Sequence, residues 1–171
     1  PNEIGAMARA IRVLQDVCRG MEAQRWVKTN VAEISAELQQ AENFVDLSQK
    51  FMLAVCPLLN VGQGVFYIHA EGELRMLGSY GYRERKNLSQ HFSIGEGLVG
   101  QCAMEKTPIT LTDPPQDYIK IGSGLGEAAP KMIAVLPILH QDQVAGVLEL
   151  ASFQPFSERE TALLDALMKL D

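Results

Sequence analysis

With 171 residues, 47% of them hydrophobic and 21% charged, the chain has room for one compact domain plus an extended element, in the composition of an ordinary globular protein. A formal net charge of −6 and the lack of a Lys/Arg stripe interleaved with aromatics argue against nucleic acid and against an anionic membrane surface as partners. Cys18, Cys56 and Cys102 lie far apart with no CxxC, which suits a reducing cytosol, and neither a signal peptide nor an apolar run of the ~18–20 residues that span a bilayer is visible.

From the first residues the chain enters helical periodicity, so the sequence reads as a piece of a longer protein. Ile4, Met7, Ile11, Leu14, Cys18 and Met21 step by threes and fours, the spacing of an a/d seam. A second series follows at Val27, Val31, Ile34, Leu38, Ala41 and Val45. The join from Met21 to Val27 takes six residues where an unbroken heptad takes seven, so the seam slips in phase near Gly20 and Trp26. A stripe this long exceeds what one small domain covers, and pairing of two copies along it is the expectation. The blander alternative is a frayed terminal helix. The opening Asn2-Glu3-Ile4-Gly5, followed by Ala6 to Ile11, resembles the start of the second helix of a HAMP domain, although the usual Asp before the Glu is Asn2. That resemblance implies a membrane-anchored parent with this piece on its cytoplasmic side. Residues 1–26 are thus read as a HAMP-like and linker helix, 27–50 as a signalling helix, and 43–171 as a globular domain.

Phe44, Leu47, Phe51, Met52, Val55, Leu58 and Leu59 predict an amphipathic helix ending at Asn60-Val61-Gly62. Val65–Ala70 is β-branched and aromatic and reads as a strand, turned at Glu71-Gly72-Glu73 into a second strand, Leu74–Tyr82. After a polar stretch come His91–Ile94, a short helix from Leu98 to about Lys106, and a strand at Ile109–Thr112. Asp113-Pro114-Pro115 opens an irregular segment reaching Pro130. Two further strands, Met132–Leu139 and Val144–Ser152, are joined by a polar turn, and the last helix starts at a capping box, Ser157-x-x-Glu160. Hairpin connections make the sheet largely antiparallel: an α+β fold.

Gly95-Glu96-Gly97-Leu98-Val99-Gly100 matches GxGxxG. A dinucleotide fingerprint needs a buried strand before it and a long crossover helix after it, and here the strand is half polar and the helix about two turns long. The motif reads instead as a tight turn feeding a short helix. With its surroundings, Ser93 to Ala103, it resembles the mid-domain helix of the GAF family. Ala145–Ala151 resembles that family's closing strand, and Phe156-Ser157-x-x-Glu160-x-x-Leu163-Leu164 its last helix. The resemblance implies a GAF-like antiparallel sheet with the terminal helices on one face and a loop-covered pocket on the other. It implies a regulatory role and no particular ligand, because members bind cyclic nucleotides, bilins, haem, amino acids or metals. The cyclic-nucleotide residue set has no match here, and no cysteine neighbours a histidine as bilin attachment requires. The free methionine sulfoxide reductases of the family need several pocket cysteines, where only Cys102 is near the pocket side. His69, His91 and His140 are single and scattered and read as surface or edge histidines, so no metal site is expected and no cofactor is required.

The segment Asp113–Pro130 is about eighteen residues without an evident regular element, a length common in lids and binding loops. Gly122, Gly124 and Gly126 offer backbone amides to an anion, with Lys120 and Lys131 nearby, while Asp113, Asp117 and Glu127 are negative; a zwitterion such as an amino acid satisfies both signs. A loop that merely packs over the sheet is the alternative. By strand parity Val147, Glu149 and Ala151 share one face, and an inward Glu149 needs either a ligand or a hydrogen bond to the edge of the mid-domain helix, the latter being preferred. The candidate lining is Tyr80, Tyr82, Leu98, Cys102, Asp113, Tyr118, Gly122, Ser123, Gly124, Glu127, Leu136 and Glu149.

The functional expectation is a regulatory sensory module of a signal-transduction protein; the resemblance implies a membrane-anchored histidine kinase as the parent, with a chemoreceptor or a cyclase as alternatives. It takes a small-molecule ligand or a neighbouring domain, forms a homodimer through its N-terminal and C-terminal helices, and relays to an output domain of the parent chain. The chain itself lacks kinase motifs and is read as no enzyme. The alternatives are a redox enzyme using Cys102 and a ligand-free dimerisation spacer.

Overall fold

The computed structural model describes residues 2–81, 91–115, 121–123 and 126–169, with the backbone path alone for 121–123 and 126–128. The first helix, α1 (Asn2–Leu38), is a single helix that continues straight through Gly20, so the phase slip changes the direction of the apolar stripe and not the helix itself. At 3.6 residues per turn, the series Ile4–Met21 and the series Val27–Leu38 point roughly 160° apart, on opposite sides of α1. The second series is spent inside the chain: Ile34 is buried, and Trp26, Val27, Val31 and Leu38 pack against the core. The first is uncovered, with Ile4, Met7, Ile11, Leu14 and Met21 between 49% and 75% exposed and Cys18 exposed beside them. The expected seam through Ala41 and Val45 does not form. After a turn, Asn43 accepts a hydrogen bond from the Asp46 amide at 2.8 Å and caps a new helix, α2 (Phe44–Leu58), leaving Val45 exposed.

Strands β1 (Val61–Ala70) and β2 (Glu73–Tyr80) form a hairpin; β1 begins at Val61 and Gly62, which the sequence pattern assigned to a helix end. A short β3 (His91–Ser93) leads into α3 (Gly97–Glu105) and then β4 (Ile109–Thr112). Two three-residue strands, β5 (Ile121–Ser123) and β6 (Gly126–Ala128), pair with each other inside the segment expected to be irregular. Strands β7 (Met132–His140) and β8 (Gln143–Ser152) precede α4 (Glu158–Met168). Both long hairpins turn on two residues with positive φ, Glu71-Gly72 and Gln141-Asp142, the backbone of type I′ turns that match strand twist. The main sheet has six strands in the order β3-β2-β1-β8-β7-β4, every pairing antiparallel.

The faces of this sheet are unequal. On one, α1, α2 and α4 bury Phe51, Met52, Val55, Leu163, Leu164 and Leu167 against Phe66, Leu148 and Leu150. On the other, α3 places Val99, Cys102 and Ala103 over Tyr67, Val135, Val147 and Ala151. The capping box of α4 is present in both directions: the Ser157 amide donates to Glu160 Oε1 at 2.9 Å and the Glu160 amide to Ser157 Oγ at 3.3 Å. Across the end of that helix, the Arg159 guanidinium lies 4.5 Å from the Trp26 ring centroid and ties α4 to α1. No described helix is long and apolar enough to cross a membrane.

The glycine motif has a packing explanation. Gly95 and Gly97 take positive φ in the turn, and a Cβ on Gly100 would collide with the Ser93 carbonyl oxygen and lie 2.9 Å from the Gly95 nitrogen. Gly100→Ala therefore forces backbone to move and is expected to cost about 1–3 kcal/mol in urea denaturation. Gly20→Ala, with nothing within 4 Å of the new methyl in mid-helix, should instead raise helicity at 222 nm and favour the helix by about 0.5–1 kcal/mol.

Candidate functional site

The face of the sheet beneath α3 carries the chemistry. Register sets its rows: Val65, Glu149 and Val135 stand directly opposite one another, flanked on one side by Tyr67 and Val147 and on the other by Gln63, Ala151 and Ile133. Ser79, paired with Val65, extends the Glu149 row towards the sheet edge. The row neighbours Val65 and Val135 are buried, and Glu149 between them is partly buried. Among the described residues no hydrogen bond or ion pair reaches its carboxylate, and burial raises its pKa above the ordinary carboxylate value. The preferred expectation, a hydrogen bond to the mid-domain helix, is therefore not met.

Cys102, on the inner side of α3, behaves as a core residue. Its thiol faces two carbonyl oxygens, Thr107 O at 3.4 Å and Val135 O at 3.6 Å, as a donor. Burial first, and the charge of Glu105 second, push its pKa up to about 12. Cys56 lies on the opposite face, buried, and burial lifts its pKa to about 12 as well. Neither is a nucleophile at neutral pH, and neither is near the other. His69 Nδ1 meets Val144 O at 2.9 Å, while its Nε2 is buried with no hydrogen-bond partner among the described residues. Among the described residues no three His, Cys, Asp or Glu side chains cluster as a metal site would require.

The family model described as GAF domain matches residues 41–170. The chain belongs to the GAF family. Solved structures share its fold. The GAF domain of a phosphoenolpyruvate-protein phosphotransferase (ptsP) from Coxiella burnetii is 23% identical with a TM-score of 0.67, covering 84% of this chain and 88% of that one. The nlh2 GAF domain of A. aeolicus, in an inactive state, is 20% identical with a TM-score of 0.65 over 86% and 93% of the two chains. The free methionine-R-sulfoxide reductase of Neisseria meningitidis, in complex with its substrate, is 17% identical with a TM-score of 0.65 over 84% of each. Among curated proteins nothing matches.

In this GAF domain the expected lining residues divide. Cys102, Glu149 and the partly buried Leu98 belong to the α3 face. Tyr80 and Leu136 do not: both pack against the core on the terminal-helix face. Tyr80 borders a cleft of about 390 Å³ with Pro57 and Phe153, and Leu136 a groove of about 810 Å³ between α4 and strands β4 and β7. A register shift in β1 between Phe66 and Tyr67 separates Tyr80 from simple parity, and the Leu136 row pairs with Leu148, which faces the helices. Asp113 is exposed at the end of β4 with φ 50°, its amide donating to Lys131 O at 2.8 Å. Gly122, Ser123 and Glu127 lie in the β5–β6 ribbon, where Gly122 pairs with Glu127; Tyr82, Tyr118 and Gly124 fall outside the described residues. Gln63 and Ser79 are polar members of the α3 face that the sequence reading missed, although alternation along β1 and β2 carries the signal.

Two measurements follow from this geometry. The native Glu149 carboxyl keeps its proton to a higher pH than the unfolded chain does, so the wild type loses stability as pH rises from the ordinary carboxylate range through the raised pKa. Glu149→Gln lacks that loss, and its melting temperature should exceed the wild type's by a margin that widens between pH 4 and pH 8. A margin that is flat, or negative at pH 8, would mean that the carboxylate is held by a partner. For the thiols, Ellman titration of the native chain at pH 8 should find prompt reaction at Cys18 alone; a thiol with pKa about 12 is ionised in roughly one molecule in ten thousand. Prompt reaction at Cys102 would restore the redox reading.

Proposed function

We propose that this GAF domain is a sensory module that dimerises through the first twenty residues of α1 and relays occupancy of its α3 face along α1 and α4 to an output domain. The observation that carries the reading is the two-sided helix: one stripe of α1 packs on its own domain, while the stripe Ile4–Met21 keeps a/d spacing and stays exposed on the other side. Pairing of two copies along the exposed stripe leaves each domain hanging outward, clear of its neighbour. Beyond Met21 the same side of α1 presents Arg25, Thr29 and Ala32, so the apolar seam ends where domain packing begins.

The route from site to stalk is short. Glu149 faces α3, while its neighbours on β8, Leu148 and Leu150, are fully buried against the terminal helices, and α4 is joined to α1 at Trp26. A ligand acts by binding one arrangement of these helices more tightly than another. The HAMP-like opening supports a membrane-anchored histidine kinase as the parent, with this module on the cytoplasmic side. The redox alternative draws on the likeness to free methionine-R-sulfoxide reductases; the buried, carbonyl-facing thiol of Cys102 speaks against it. A ligand-free spacer would give no purpose to Glu149, whose carboxylate has no partner among the described residues.

Cys18 provides the test. It sits in the seam, and in a parallel, in-register pair it meets its own copy. Mild oxidation should yield a disulfide-linked dimer on a non-reducing gel, abolished by Cys18→Ser. Met7→Glu with Leu14→Glu should convert the dimer to a monomer in light scattering without changing the near-ultraviolet spectrum of the domain. A monomer at millimolar concentration, or efficient cross-linking that survives the double substitution, would overturn the proposal.

A further inference from the structure

We infer that Glu149 is the anchor for the cationic group of a small organic ligand, an amine or ammonium with an apolar body, bound on the α3 face of the sheet. The inference rests on the reading that this face receives a ligand, and it names the ligand's class. Three features of the face select a cation. Glu149 stands in the middle of β8, between Val65 and Val135 on the neighbouring strands, so both immediate cross-strand neighbours are apolar and cannot hydrogen-bond to it. Among the described residues no Lys, Arg or His forms an ion pair with it; the ion pairs present join Arg19 to Asp16, Lys50 to Asp46, Arg75 to Glu73 and Lys169 to Asp165, all elsewhere. The other polar side chains of the face, Gln63 and Ser79, are neutral, and the charged residue of α3 that acts on Cys102 is Glu105, another anion.

A carboxylate in such surroundings is under-solvated, and a structural role would require a partner that the described residues do not supply. An apolar residue would fill the same place between two valines at less cost. A ligand that carries positive charge offsets the deficit, a neutral one does so in part, and an anionic one makes it worse. The apolar rows on either side, Tyr67 with Val147 and Ala151 with Ile133, suit the uncharged body of the ligand. The face therefore discriminates by charge at one atom group and by shape elsewhere, the usual division of labour in a small-molecule site.

The test is a chemical-shift titration of the whole chain, labelled with ¹⁵N, using ethylammonium, butylammonium and benzylammonium alongside the matching alcohols and carboxylates at pH 7.5. At least one ammonium should move the amides of Val65, Val135 and Glu149. Its apparent affinity should exceed that of its alcohol and fall about tenfold or more in Glu149→Gln, whose spectrum otherwise reports an intact fold. Equal affinity for wild type and Glu149→Gln overturns the inference. So does an alcohol or carboxylate that binds at the same amides as well as its ammonium partner, but that outcome leaves the face standing as a ligand site of another class. Should none of the probes move these amides, the ligand-receiving face falls with the inference, while the dimeric stalk remains answerable to the Cys18 cross-link alone.

Discussion

Strand β8 is buried on both sides, and most of the architecture follows from that requirement. Val147, Leu148, Leu150 and Ala151 are each at most 2% exposed, so consecutive side chains pointing in opposite directions must both be covered. One cover is the layer of α1, α2 and α4; the other is α3. Antiparallel pairing places β1 and β7 on either side of β8, β7 through a hairpin and β1 across the long connection, and satisfies its backbone groups. Helix α3 can lie close only because Gly100 has no side chain to strike the turn beside it. Against this continuous burial two polar side chains of β8 stand out: Ser152 at its end, whose hydroxyl donates to Gln154 O at 2.7 Å, and the carboxylate of Glu149 in its middle.

Under the proposed sensory role, Glu149 is where the ligand's chemistry would be met. A domain that bound nothing would gain stability by filling the Glu149 position with a hydrophobe, and strand parity alone permits it. Adjacent residues of the same strand face opposite sides of the sheet, Glu149 in the row of Val65 and Val135, Leu148 and Leu150 towards the helices. Leu148 and Leu150 share one core cluster with Leu163 and Leu167 of α4 and Ile34 of α1.

Local rules made much of this readable in advance. The capping box at Ser157 and Glu160, the two hairpins and the tight turn into α3 each rest on a few neighbouring residues, and each formed as expected. The parity of β8 was legible because Glu149 breaks an otherwise apolar run. The parity of β7 was not. Met132 to Leu139 is apolar at every position, so nothing in its composition tells Leu136 from Val135, and only pairing with β8 assigns Leu136 to the helix face. Tyr80 falls on the terminal-helix face for a related reason, since the irregularity at Phe66 and Tyr67 changes which β2 residues share a side. The β5–β6 ribbon escaped notice because a ladder of Ile-Gly-Ser against Gly-Glu-Ala has no alternating pattern to detect.

The stalk shows how a correct pattern can be assigned to the wrong partner. Both apolar series on α1 are real, and heptad spacing alone suggests one seam interrupted by a slip. The missing residue between Met21 and Val27 turns the second series to the other side of the helix, where α2, α4 and the sheet lie within the same chain. A helix that is amphipathic in two directions has two different surfaces to cover, and one domain supplies only the second. The proposed dimer would act under a geometric constraint: a single unbroken helix joins the exposed stripe to the residues on which the domain itself is packed.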